Sequence, residues 1–416
     1  ETMLVFFLLL LLLVSYCHCE RSEAIPLRLP RPLRGLAMTI GSGIILGLAI
    51  AAKTTSLLFL IIPLFSIWLL SSGNLVARLL MTFILLFATS TYFLLTSPYT
   101  IIDYPHFLES MQYETGVALG RFSVPYTLQF LHTTPYLYQI QTMLWQVGPV
   151  AILGLAGMVI LAVYRKRTSL LFLIFPTLYF LWSGSWYAKF ARYTVPFLPF
   201  ATLAASWLMI FLFQKLSKQK IYLYSCLFAY LLICLFVVWW GLSNWTIYLR
   251  PQTRIEASQW IYDHVPTGAN LLTEHWNDGL PVDIPPHGKN PSDYPRELMA
   301  VYDADTDGKV NTLAAQLANA DYIILSTRRM WGTLPHLTEK YPVTSRFYTL
   351  LLSDQLGYKE VASFTSYPSL FGIVINDDEA EESIQVFDHP TARIFQNTKG
   401  FSKEEVRKKV SALNGR

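Results

Sequence analysis

The chain has 416 residues, 53% of them hydrophobic and only 14% charged, with a formal net charge of +4 and a mean hydropathy of +0.37. That balance excludes an ordinary water-soluble protein of this length and fits a polytopic membrane protein. So small a net charge calls for no nucleic-acid partner, and its distribution along the chain is more informative than its sum.

The sequence begins at Glu1, reaches its first methionine at Met3 and enters a leucine run at once. No basic region precedes that run, and Cys17-His18-Cys19-Glu20 is a poor small-residue cleavage site, so the start reads as part of a longer protein rather than as a signal peptide. Cys17, Cys19, Cys226 and Cys234 all lie in or beside apolar runs, which gives no disulfide framework. Cys17-His18-Cys19 is too short to close a tetrahedral zinc site. No metal site or cofactor is indicated, although a divalent cation is compatible with the sequence.

Hydrophobic runs predict membrane segments at about 3–17, 36–52, 56–70, 75–96, 145–164, 169–183, 193–213 and 221–242. Several are shorter than the ~20 residues of an upright span, so they extend into polar flanks or are partly re-entrant. Lysine and arginine divide unevenly between alternate connections. One set carries Arg21, Arg28, Arg31, Arg34, Arg78, Arg165, Lys166, Arg167, Lys215, Lys218 and Lys220; the other carries Lys53, Arg121, Lys189 and Arg192. The richer set is cytoplasmic by the positive-inside rule, which puts 97–144 and everything after 242 outside. The expected fold is a polytopic α-helical membrane protein of about eight segments with a C-terminal extracytoplasmic α/β domain, in the cytoplasmic (inner) membrane. Its divisions are a transmembrane region 1–242 containing the external loop 97–144, the external domain 243–400 and a charged tail 401–416.

Topology has no use for positive charge on the outer side. Lys53, Lys189 and Arg192 are therefore read as ligands for an anionic lipid phosphate, the plainer alternative being side chains that snorkel. Lys189 and Arg192 stand among Trp186, Tyr187, Phe190 and Tyr193, aromatic rings of the kind that settle at headgroup level.

The loop 97–144 is long for a plain connection. Pro98 ends the preceding helix, and the apolar spacing of Phe107, Leu108, Met111 and Val117 predicts an amphipathic surface helix over 103–118. Its carboxylates Asp103, Glu109 and Glu114 are close to the membrane. Tyr126, Gln129, Tyr136 and Tyr138 form an aromatic and polar cluster suited either to stacking on a sugar or to anchoring the loop at the interface.

From 243 the pattern alternates: a helix over 253–262, strands at 270–273 and 321–326, a helix at 310–319, and strands near 358–365, 383–387 and 392–396. Asp303, Asp305, Asp307 and Gly308 match the opening of a calcium loop, but Ala314 stands where its bidentate Glu belongs, which favours a solvated turn before a helix. Glu274-His275-Trp276-Asn277-Asp278 gathers acid, base and ligand types without defining a reaction. There is no nucleophile elbow, Walker loop or dinucleotide fingerprint.

Ser97-Pro98-Tyr99 with Asp103, Pro125-Tyr126-Thr127-Leu128-Gln129, Pro135-Tyr136-Leu137-Tyr138 and Lys189-Phe190-Ala191-Arg192-Tyr193 followed by Pro196 and Pro199 resemble bacterial membrane glycosyltransferases of the GT-C type. Those are relatives of protein O-mannosyltransferases and aminoarabinose transferases. Thr253-Arg254-Ile255, Trp260-Ile261-Tyr262, Glu274-His275-Trp276 and Phe387-Asp388-His389-Pro390 are similar to the C-terminal part of such proteins. The resemblance implies transfer of a sugar from a polyprenyl-phosphate carrier to an acceptor at the outer face of the membrane. It also implies a catalytic carboxylate in the loop after the first membrane helix. Here that loop holds Arg21-Ser22-Glu23 and further arginines, so that carboxylate is expected to be missing, and Asp103 is the candidate base in its place. Two rivals stand beside this reading. A transporter would need ionisable groups inside the spans, which hold almost none. A noncatalytic membrane protein would use its external domain to bind a glycan or a protein partner.

Overall fold

The computed structural model describes residues 31–71, 73–164, 167–216, 220–275, 277–285 and 288–411. The expected segment 3–17, Cys17-His18-Cys19 and the arginines before residue 31 lie outside the described residues, as does Trp276. The chain forms two compact units: Glu1–Ser123 with His132–Val237, and Val124–Leu131 with Val238–Arg416.

The first unit is helical. It comprises α1 (Arg31–Ala52), a 3-10 helix (Thr54–Leu60) running into α2 (Ile61–Phe65) and a π-helical turn (Ser66–Leu70), then α3 (Leu75–Thr96), α4 (Tyr104–Ala118), α5 (Leu137–Val147), α6 (Val150–Tyr164), α7 (Arg167–Gly184), α8 (Leu198–Leu216) and the start of α9 (Lys220–Trp245). Among the described residues four helical stretches are long and apolar enough to cross a membrane: Gly35–Ala52, Leu75–Thr96, Leu198–Lys215 and Leu227–His264. Three shorter apolar helices, Thr54–Leu69, Val150–Val163 and Ser169–Gly184, accompany them. The expected run 145–164 is broken because Gly148 takes a positive φ of 59° and Pro149 follows it, so α5 ends and α6 begins anew. The expected run 193–213 starts only at Leu198, after the turns around Pro196.

Small residues let these helices meet backbone to backbone. A Cβ on Gly43 would sit 2.6 Å from the Ala88 Cβ, and one on Gly47 would sit 2.6 Å from the Thr89 carbonyl, so α1 packs directly on α3. Gly154 and Gly157 do the same for α6 against Ala201 and Ala204 of α8. Leu46, Phe59, Ile62, Met143, Phe175 and Phe200 fill the space among these elements.

The second unit is built on a five-stranded sheet. After α10 (Thr253–His264) come β1 (Leu271–Glu274), β2 (Arg296–Met299), α11 (Asp307–Asn319), β3 (Tyr322–Leu325), α12 (Pro342–Leu352), β4 (Tyr358–Phe364), a small hairpin β5 (Ser369–Leu370) and β6 (Ile373–Val374), β7 (Ala392–Asn397) and α13 (Lys403–Ser411). Sheet order is β2-β1-β3-β7-β4, with β2, β1 and β3 parallel and β7 antiparallel to both its neighbours. Alternation along the strands divides two cores. Leu272, Ile323 and Phe395 face Phe347, Leu351 and Val410 on one side, whereas Leu271, Ile324 and Ile394 face Ile261 and Tyr262 on the other.

Three expectations change. The stretch 383–387 is a helical turn, Glu382–Gln385, because Gln385 turns inward to Asp377 and Asp378 instead of alternating out of a sheet. Within 401–416, α13 is a packed helix whose Val406 and Val410 enter the core; residues 412–416 lie outside the described residues. The Asp303–Asp307 turn is solvated only in part: Asp303 and Asp307 are exposed, whereas Asp305 is drawn inward. The Lys309 ammonium takes the central place, donating to Asp305 Oδ1 (2.8 Å), Thr344 Oγ1 (2.7 Å) and the carbonyls of Val301 (2.9 Å) and Asp303 (2.7 Å).

Candidate functional site

The helical unit contains an open cavity of about 450 Å³ lined by Lys53, Thr54, Thr55, Met111, Glu114, Thr115, Ala118, Leu119, Trp182, Trp186, Arg192 and Tyr193. Lys53 is the extended residue between α1 and the 3-10 helix, where the chain stops following one axis before starting the next. Arg192 lies on a single 3-10 turn, Ala191–Tyr193, that other side chains hold in place. Gln146 donates to the Ala191 carbonyl (3.0 Å) and accepts from Thr194 (2.5 Å), and the Tyr179 hydroxyl donates to the Tyr193 carbonyl (2.8 Å). These bonds satisfy the backbone of an irregular segment that would otherwise be costly near lipid.

The cavity wall is aromatic. Trp182, near the end of α7, and Trp186, in the loop beyond it, meet edge to face at 4.7 Å, and Trp186 meets Tyr193 at 5.2 Å. The Arg192 guanidinium lies 4.7 Å from the Phe190 ring centre and 5.5 Å from that of Tyr193; the Lys53 ammonium is 5.8 Å from Tyr193. The ring quadrupole attracts a cation, and these contacts fix the positions of both charged groups in the wall. The Ala188 N–H donates to the Ala118 carbonyl (3.1 Å), which docks this loop on the end of α4. That contact places Glu114 and Met111 in the same wall.

The three cations singled out in the sequence therefore part company. Lys53 and Arg192 share the cavity. Lys189 is not among its lining residues; it is 3% exposed, donates to the Tyr187 carbonyl (2.9 Å), and burial lowers its pKa. Asp103 stands at the start of α4 beside a second, more open depression formed by residues 96–110. Its carboxylate meets His106 Nδ1 at 2.7 Å, and that hydrogen bond raises the His106 pKa. The carboxylate in the cation cavity is Glu114, three turns further along the same helix. At 11 residues, about three turns, the two share one face of the helix, so spacing alone could not tell them apart.

The aromatic and polar cluster is split between the units. Tyr136 serves the end of α7: its hydroxyl donates to the Leu181 carbonyl (3.1 Å), its N–H to that of Gly184 (3.3 Å), and its ring packs on Phe180. Helix ends leave carbonyls without partners, and Tyr136 supplies two donors. Tyr138 is half-buried at the start of α5. Tyr126 and Gln129 belong to the sheet unit, where Gln129 donates to Glu381 Oε1 (2.9 Å) and accepts from the Glu382 N–H (3.1 Å).

No protein-family model matches the sequence, and no curated protein matches it. The structure is similar to that of the archaeal oligosaccharyltransferase AglB from Archaeoglobus fulgidus, solved in complex with an inhibitory peptide and a dolichol-phosphate. The TM-score is 0.37 and the sequence identity 12%, over 90% of this chain and 57% of that one. The chain thus spans little more than half the length of that protein.

In the sheet unit, polar residues collect where the parallel strands end. Glu274 is 1% exposed; the Tyr348 hydroxyl donates to one of its oxygens (2.5 Å) and Asn277 to the other (2.7 Å). Burial outweighs both bonds and pushes its pKa up to about 8. Asn277 in turn accepts from Thr327 (2.9 Å), and Arg254 pairs with Asp278 (2.7 Å). Arg329 donates to Glu382 (2.6 Å), whose pKa burial pushes up to about 7. Among the described residues no group of three or more His, Cys, Asp or Glu side chains is placed to hold a metal ion.

Proposed function

We propose that this membrane protein transfers a sugar from a polyprenyl-phosphate carrier to an acceptor at the outer face of the cytoplasmic membrane, with the carrier phosphate held by Lys53 and Arg192. The observation that carries the reading is the cavity those two residues share with Glu114 and an aromatic wall. Its size is in the range of small-ligand sites, its lining is mostly apolar, and its few charged groups converge. An apolar, aromatic wall suits an isoprenoid and the face of a sugar; the cations suit a phosphate.

The chemistry is a displacement at the anomeric carbon. The acceptor oxygen bonds to that carbon, the bond to the carrier phosphate breaks, and the electron pair leaves with polyprenyl phosphate. Lys53 and Arg192 stabilise the charge that develops on the leaving phosphate, and Glu114 takes the acceptor proton. Asp103, the base favoured by sequence position, would need the acceptor to enter through the second depression.

The test uses the full chain in nanodiscs, with polyprenyl phosphate as the binding probe and a polyprenyl-phosphate sugar as the donor. Lys53→Ala with Arg192→Ala is expected to abolish phosphate binding while the melting temperature holds, and Lys189→Ala is expected to spare binding. Unchanged binding in the double variant would overturn the reading and leave a noncatalytic protein that binds a glycan or a partner.

A further inference from the structure

The hairpin β5–β6 leaves apolar residues in solvent at its tip. Leu370 pairs with Ile373 and Ser369 with Val374, so Phe371-Gly372 is a two-residue turn. Both turn residues have positive φ, 56° and 80°. Two-residue hairpin turns of this kind favour Asn, Asp or Gly at the first position, and a Phe there is strained. Phe371 is nevertheless 86% exposed, with Ile373 at 57% and Val374 at 58%. Three neighbouring apolar side chains held out of the core by their own turn call for an apolar surface to receive them.

The hairpin is fastened to the end of α9. Thr246, the residue after Trp245, donates from Oγ1 to the Ser369 carbonyl (2.9 Å) and accepts from the Ser369 N–H (3.3 Å). Arg250 donates to the Tyr367 carbonyl (2.9 Å) and to Ser369 Oγ. The apolar stretch that includes the end of α9 is long enough to cross a membrane. Exposed side chains recur along it at Leu242, Trp245, Tyr248 and Leu249, with Ser243 and Ile247 buried between them. Tryptophan and tyrosine at the end of a span are where lipid headgroups begin. The bonds to Ser369 hold the hairpin, with its exposed apolar tip, at this end of the span.

We propose that Phe371, Ile373 and Val374 enter the headgroup and acyl boundary of the bilayer that α9 crosses, giving the sheet unit a second point of membrane attachment. The occupant is lipid because the base of the hairpin is bonded within one turn of the span, two residues from Phe371, and Arg250 beside it can reach phosphates as its stem stays in apolar surroundings.

A spin label at Ile373→Cys, with the native cysteines replaced by serine and the protein in phosphatidylcholine/phosphatidylglycerol nanodiscs, tests this. The label is expected to collide with oxygen and to lose contact with an aqueous nickel reagent. A label at Leu298→Cys, on β2 and similarly exposed at 55%, is expected to keep that contact. Equal nickel access at both positions overturns the proposal, and shielding of residue 373 from both reagents overturns it in favour of a second copy or a protein partner. A diazirine on a lipid tail gives a readout on the unsubstituted chain. Adducts on the peptide containing residues 370–374 support the proposal, and their absence there, with adducts on α9 present, overturns it.

Discussion

Lysine, arginine, glutamate and aromatic rings recur in both units under different conditions. In the helical unit Lys53, Arg192 and Glu114 face an open cavity, and Arg192 rests on rings. In the sheet unit Lys309 and Asp305, at 8% and 7% side-chain exposure, close on one another, and Arg329 closes on Glu382. A buried ion pair spends its attraction on the desolvation of its own members, whereas charges lining a cavity retain attraction for something that enters. Sequence shows the residue types but not which of these two conditions each will meet.

The largest effect that would sharpen this contrast is expected at Lys309. Lys309→Met leaves Asp305 buried without its cation, and breaking such a pair costs about 3–5 kcal/mol. Denaturation of the sheet unit should register this, with polyprenyl phosphate binding unchanged. Adding Asp305→Asn should restore much of the loss. If Lys309→Met unfolds nothing, the pair is not structural and the contrast fails.

Next come the cavity cations. Removing one preorganised donor from a developing negative charge typically costs on the order of 10²–10³ in turnover. Arg192→Ala alone should fall in that range in a sugar-transfer assay, with no shift in melting temperature. Glu114→Gln should reduce transfer and spare phosphate binding. Asp103→Asn should change transfer less than Glu114→Gln does; the opposite order would move the chemistry to the second depression.

A smaller effect is expected from pH. Burial raises Glu274 from 4.5 to about 8 and Glu382 to about 7. Between pH 4.5 and 8 these two groups hold protons in the folded unit that the unfolded chain releases, so their contribution to stability is greatest below about 4.5, declines as pH rises and levels off above 8. Glu274→Gln should flatten that decline in denaturant midpoints measured from pH 5 to 9. A decline of the same steepness in this variant would assign the effect to Glu382.

The apolar runs and the alternating strands were legible because burial imposes a period on the sequence. Thr253–His264, Leu271–Glu274 and Tyr322–Leu325 fall within a few residues of their expected positions. Strand β2 was not legible: it is an edge strand with Arg296, Glu297 and Leu298 exposed, so no alternation marks it. The pairing of Lys53 with Arg192, 139 positions apart in number, leaves no periodic trace either; what marked both was positive charge where topology did not require it. The same reasoning selected Lys189, which differs only in pointing to the Tyr187 carbonyl, a matter of side-chain direction that composition does not encode.

The short segment Val124–Leu131 carries a consequence for manufacture of the protein, whether by ribosome or by cloning. Leu128 is 2% exposed in the core of the sheet unit, and Gln129 is bonded to Glu381 and Glu382 there. A piece cut at Val238 would be missing this plug, with a hole at Leu128 and the two Gln129 hydrogen bonds lost, so expression trials should supply residues 124–131 in trans or by fusion. In the cell the plug emerges from translation long before its socket exists, and assembly of the sheet unit has to wait until the last part of the chain is made.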